Sequence, residues 1–157
     1  MRIRTSLMVW LASLVLFPAI SRLTAQDMPL TQVLIDGEGW QLVSDGHRFT
    51  DGLTTDGEGN LYFSDVAGGT TINCIDHEGM LTVVAEDASR ISGMHFGPDG
   101  RIYACQGGQF GRIVAFDLQS KTMEVIAENV KPNDLVVTDD GHIYFTETGK
   151  MQVSHIA

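Results

Sequence analysis

One pattern is written three times in this chain. DGLTTDGEGNLYFSD at residues 51–65, SGMHFGPDGRIYAC at 92–105 and NDLVVTDDGHIYFTETG at 133–149 share an order: small polar residue, apolar run, Asp-Gly-type turn, second apolar run. The turn glycines Gly59, Gly100 and Gly141 stand 41 residues apart. A fixed period of that length is the signature of a repeat architecture, in which each unit buries its apolar face against the next. Within a repeat the side chains alternate with period two, Leu61, Phe63 and Asp65 against Tyr62 and Ser64, which makes the apolar runs strands.

Four strands fit each complete repeat. The first repeat reads as strands at 53–56, 61–65, 71–76 and 81–87, with a glycine break at Gly68 and Gly69 and a turn at 77–79. The second reads as strands at 93–96, 101–105, 112–117 and 123–129. No helical periodicity follows residue 25. Four strands in about 40–45 residues is how a β-propeller blade is written. The expected fold is therefore all-β, a partial six-bladed propeller of about three four-stranded blades. Asp51, Ser92 and Asn133 share one column of the repeat, also 41 residues apart, at the point where an innermost strand begins beside the central channel. Two readings of that column stand side by side: one polar side chain per blade converging on an axial site, or turn caps of the kind Asp, Ser and Asn often form.

Six blades need roughly 250 residues, and propellers have at least four blades. Residues 26–157 hold two full repeats, half of a third, and WQLVSDG at 40–46, which resembles the fourth strand of a blade. The third repeat ends in GKMQVSHIA, partway through its third strand. The expectation is an incomplete propeller domain over 26–157, a fragment of a longer protein. Bare strand edges template pairing with other chains, so self-association through open blade edges is expected too.

The opening MRIRTSLMVWLASLVLFPAISRLTAQ is a different object. Arg2 and Arg4 precede a 14-residue apolar run from 7 to 20, shorter than the roughly 20 residues a spanning helix needs. It reads as a secretory signal over residues 1–25, cleaved after Ala25 or Ser21, which makes the mature protein secreted or periplasmic with no membrane segment after cleavage; the alternative is an uncleaved N-terminal anchor. The formal charge is −10. Nucleic acid and anionic membranes, which need a basic patch, are excluded as partners. Export permits a disulfide between Cys74 and Cys105, but they occupy different places in different repeats and read as two buried thiols. The five histidines show no HExxH and no paired metal spacing, and His77 and His142 read as solvated turn residues. QGGQFG at 106–111 runs from strand to strand and lacks the helix of a phosphate loop. No GxSxG elbow is present. Asp56, Asp65, Asp99, Asp139 and Asp140 read as turn and blade-edge acids.

PNDLVVTDDGHIYFTETG at 132–149, FTDGLTTDGEGNLYFSD at 49–65 and RIYACQGG at 101–108 resemble the senescence marker protein/gluconolactonase family, the regucalcin-like six-bladed propellers. The resemblance covers most of residues 49–156, the family's N-terminal half. It implies a divalent cation on the propeller axis, Ca²⁺ foremost with Zn²⁺, Mg²⁺ and Mn²⁺ as alternatives. In the family a first-blade Glu, a fourth-blade Asn and a fifth-blade Asp hold that cation. Asp51 falls where the Glu is expected, one methylene shorter, and becomes the metal-ligand candidate. Asn133 matches the Asn that contacts substrate. Ser92 sits where no ligand is expected. The implied reaction is hydrolysis of a sugar lactone, with the metal polarising the ester carbonyl and the fifth-blade carboxylate as general base. The remaining ligands and that base fall beyond Ala157, so no catalytic residue is assigned and the fragment is expected to be inactive alone. The rival reading is a non-catalytic exported propeller that binds a ligand or protein partner, on the strength of the Asp-for-Glu change and the versatility of the fold.

Overall fold

The protein is described as a computed structural model covering residues 37, 39–67 and 70–157. The signal over 1–25 and the break at Gly68 and Gly69 lie outside the described residues. The chain divides into two units, residues 1–41 and 42–157, and the described strands all belong to the second.

Among the described residues, eleven strands form three antiparallel sheets. The first sheet contains β1 (Thr50–Thr55), β2 (Leu61–Asp65), β3 (Thr71–Ile75) and β4 (Leu81–Ala85), hydrogen-bonded in chain order. The second contains β5 (Ile91–Phe96), β6 (Ile102–Gln106), β7 (Arg112–Asp117) and β8 (Thr122–Glu128) in the same order. The third contains β9 (Leu135–Val137), β10 (Ile143–Glu147) and β11 (Gln152–Ile156). A 3₁₀ turn at Thr148–Lys150 joins the last two strands. Chain-order meanders of this size are propeller blades, as the repeat predicts.

The hairpin after each innermost strand is the same object three times. Asp56 N–H donates to Asn60 O, Gly97 N–H to Arg101 O and Thr138 N–H to His142 O, while Gly59, Gly100 and Gly141 close the turns with φ of 87°, 78° and 87°. A side chain at those glycines would meet nothing within 4 Å. Backbone conformation, not space, selects glycine there.

Two clusters fill the gaps between sheets. Tyr62, Ile72 and Cys74 of the first sheet meet Ile91, Met94, Ile102, Ala104, Val114 and Phe116 of the second. Cys105 and Ile113 of the second meet Leu135, Val137, Ile143 and Phe145 of the third. Alternation delivers one face of each strand to each gap. Cys74 and Cys105 are both buried free thiols, one in each cluster.

Residues 40–46 are not a strand. Trp40 is 98% and Leu42 80% exposed, and none of the described sheets includes this segment; the fourth strand of a blade forms only where a third strand offers it an edge. The first strand begins at Thr50, not at 53, because Thr50 and Asp51 pair with Asp65 and Ser64. Asp51 is therefore inside β1. The third strand of the last sheet, β11, pairs along all of β10.

Candidate functional site

The innermost strands β1 and β5 each carry a bulge at the same column. The β1–β2 register shifts between Asp51 and Thr54, and the β5–β6 register shifts between Ile91 and Met94. Gly52 and Gly93 sit inside these bulges, and both are forced. A Cβ at Gly52 would lie 2.0 Å from the Ser92 carbonyl oxygen, and one at Gly93 would lie 2.2 Å from Asp134 Oδ1 and 2.5 Å from Asp134 Cα. Successive innermost strands thus touch backbone to backbone at this level. The third member of the glycine column is Asp134.

Polar groups stitch the same level together. Ser92 Oγ donates to the Asn133 carbonyl at 2.7 Å, and Gly93 N–H donates to it at 3.0 Å. Ser64 Oγ reaches both the Asp51 carbonyl (3.1 Å) and the Ile91 carbonyl (2.9 Å). Asp51 Oδ1 accepts from the N–H of Gly52 at 2.8 Å, and Asp134 Oδ1 accepts from Leu135 N–H at 2.9 Å. The column Asp51, Ser92, Asn133 therefore lies at one end of adjacent innermost strands, with Ser92 turned to a backbone carbonyl, Asp51 half-buried and Asn133 exposed.

Beneath this level lies Cys105, whose thiol is pushed up to about 12, chiefly by burial, with the charges of Asp134 and Asp51 adding to it. Both carboxylates act on one sulfur. Asp134 belongs to the same acidic locality as Asp51, and the sequence reading passed over it. Its signal was its column: the first two repeats place glycine there, and only the third places a carboxylate.

A second column was also missed. Asp65, Gln106 and Glu147 end the second strand of each sheet, 41 residues apart, and all three are buried. Each fastens the segment leading into its own innermost strand. Asp65 accepts from the N–H groups of Arg48 (3.2 Å) and Phe49 (3.1 Å), Gln106 Nε2 donates to Ser89 O (2.8 Å), and Glu147 Oε1 accepts from Lys131 N–H (2.8 Å). Asp65 is thus an interior clamp and not an edge acid. Glu147 also accepts from Lys150 Nζ, Gln152 Nε2 and Ser154 Oγ, and the Lys150 ammonium, followed by the Lys131 amide, holds its carboxyl down to about 2.

Among the described residues no three His, Cys, Asp or Glu side chains are grouped to hold a metal ion. Asp51 offers one carboxylate, and the Ser92 hydroxyl is committed to Asn133. A hard divalent cation wants six to eight oxygen ligands for Ca²⁺, or near-octahedral geometry for Mg²⁺. These residues do not make a cation site by themselves. Among the described residues, no helix is long and apolar enough to cross a membrane.

Residues 49–156 match the model of the SMP-30/gluconolactonase/LRE-like region. Lactonase drp35 of Staphylococcus haemolyticus (strain JCSC1435) is 27% identical over 121 residues, covering 72% of this chain and 37% of that protein. A gluconolactonase from Xanthomonas campestris superposes with a TM-score of 0.59 at 23% identity, covering 67% of this chain and 37% of its own. Virginiamycin B lyase from Staphylococcus aureus does so with a TM-score of 0.55 at 18% identity, covering 69% and 38%. At those identities the structures attest the fold alone. The chain spans a little over a third of the length of these relatives.

Proposed function

The chain belongs to the SMP-30/gluconolactonase/LRE-like family, and on that premise we propose that its blades serve an exported, metal-dependent hydrolase of sugar lactones. In this reading Asp51 gives one oxygen ligand to a divalent cation, Ca²⁺ foremost, whose other ligands lie outside the described residues. Asn133 contacts the lactone. The export signal at residues 1–25 sends the protein to the periplasm or the medium.

What supports the reading is that Asp51 and Asn133 stand at matching ends of the first and third innermost strands, inside the matched region, with Ser92 of the strand between them bonded to the Asn133 carbonyl. Asp51 Oδ1 is held by the Gly52 amide, while Oδ2 makes no hydrogen bond among the described residues. The Asn133 backbone is fixed on both sides, its N–H by Thr146 O (2.9 Å) and its carbonyl by Ser92 and Gly93. A candidate substrate residue anchored this way presents its side chain from a rigid frame.

The test is binding of gluconolactone followed by saturation-transfer NMR, which detects weak complexes. The expected result is a transfer signal that Asn133→Ala abolishes. No signal, or a signal unchanged by Asn133→Ala, overturns the proposal.

A further inference from the structure

Sequence spacing gives no hint that His142 and His155 meet, yet the β10–β11 register brings them together. Tyr144 pairs with His155, and His142 Nδ1 lies 2.8 Å from His155 Nε2. With ring centroids 5.0 Å apart and planes 19° from parallel, the imidazoles meet edge to edge, nitrogen facing nitrogen. Each ring is held from behind. His142 Nε2 faces Asp140 Oδ2 at 3.7 Å, and the Tyr144 ring lies against His155 at 4.6 Å and 24°. The turn below is fixed as well: His142 N–H donates to Thr138 Oγ1 at 3.1 Å, and that hydroxyl donates to Asp140 Oδ1.

We propose that His142 and His155 form a binding site for an imidazole-preferring divalent cation, with Zn²⁺ as its representative. Two neutral imidazoles on a rigid hairpin suit Zn²⁺, Cu²⁺ or Ni²⁺, whereas Ca²⁺ and Mg²⁺ take oxygen ligands. Zinc–nitrogen bonds of about 2.0–2.1 Å in tetrahedral geometry place two ligand nitrogens about 3.3 Å apart. The pair has to open by roughly half an ångström and turn so that both lone pairs converge. The proton now shared between the rings moves to the far nitrogen of whichever ring carries it. For His142 that nitrogen faces Asp140, reproducing the carboxylate–histidine–metal arrangement that fixes a ligand's tautomer. Water fills the remaining positions, so the ion is exchangeable. The site lies at the opposite end of β9 from Asn133 and shares no residue with the proposed lactone site.

Calorimetric titration of the full chain with Zn²⁺ tests this. One ion is expected to bind per chain, with His142→Ala and His155→Ala each weakening affinity at least tenfold. Asp140→Asn is expected to weaken it about 10- to 100-fold, and His77→Ala to leave it unchanged. Imidazole ¹⁵N NMR reads the same event directly, through shifts of the His142 and His155 ring nitrogens on adding Zn²⁺ in excess Ca²⁺. Affinity untouched by both histidine substitutions, or ring nitrogens that do not move, overturns the proposal.

Discussion

The Ser92 hydroxyl donates across the gap between two sheets to the backbone carbonyl of Asn133 at 2.7 Å. The middle member of the polar column thus secures the backbone of the third. A hydrogen bond of this kind contributes about 0.5–1.5 kcal/mol net. Ser92→Ala is expected to lower unfolding stability by about 1 kcal/mol, read as a lower urea midpoint at unchanged m-value. The Gly93 amide still holds the carbonyl, so the fold survives.

Gly93→Ala is expected to be far more damaging than Gly57→Ala. The new methyl at Gly93 collides with the Asp134 backbone, which cannot swing away, whereas at Gly57 it meets nothing within 4 Å and φ is not positive. Overpacking costs about 1–3 kcal/mol, and a surface turn change usually stays within about 0.5 kcal/mol. Paired thermal melts separate the two.

Glu147 makes stability depend on pH in the acid range. Its carboxyl lies at about 2 in the folded chain against an ordinary 4.5, so on acidification the unfolded chain takes up the proton first. The stabilisation is complete above about pH 4.5 and is lost as pH falls towards 2. Asp56, Asp99, Asp117 and Asp140 are depressed in the same direction, so the test is a difference. Glu147→Gln should flatten the melting-temperature profile between pH 4.5 and 2 relative to the parent chain.

Hydrolysis of gluconolactone by this chain alone is expected to remain at the buffer rate, with or without Ca²⁺, Zn²⁺ or Mn²⁺. No three metal-ligating side chains are grouped among the described residues, and positioned acid–base help is worth about 10²–10⁴-fold in rate. A pH-stat assay reads this. Metal-dependent turnover abolished by Asp51→Ala would show a ligand set completed from another copy.

Self-association is expected through the far face of the third sheet. Val153 (69% exposed), Val136 (51%) and Tyr144 share that face, and the matching position Tyr62 of the first sheet is buried against its neighbour. Light scattering should report oligomers at micromolar concentration. Val136→Lys with Val153→Lys should return the chain to a monomer.

The repeat alone predicted the sheets, because turn glycines and period-two runs are local signals. It missed what depends on pairing. The strand expected at 40–46 had the right alternation but no edge to join. His142 and His155 became neighbours only through the β10–β11 register. Asp65, Gln106 and Glu147 carried the 41-residue period openly, but three different side chains in one column do not announce a shared task. Asp134 stood out from its glycine counterparts only once Gly93 was seen to touch it.

The clamp column ties each innermost strand to its own sheet, apart from the contacts that join one sheet to the next. Asp65, Gln106 and Glu147 each reach back 16 or 17 residues along the chain, a short loop that costs little entropy to close. Each of these bonds stays within its own sheet's stretch of chain. Such a clamp is copied whole with its sheet, so tandem duplication reproduces it, while the joint between sheets is set separately at Gly52, Ser92 and Gly93.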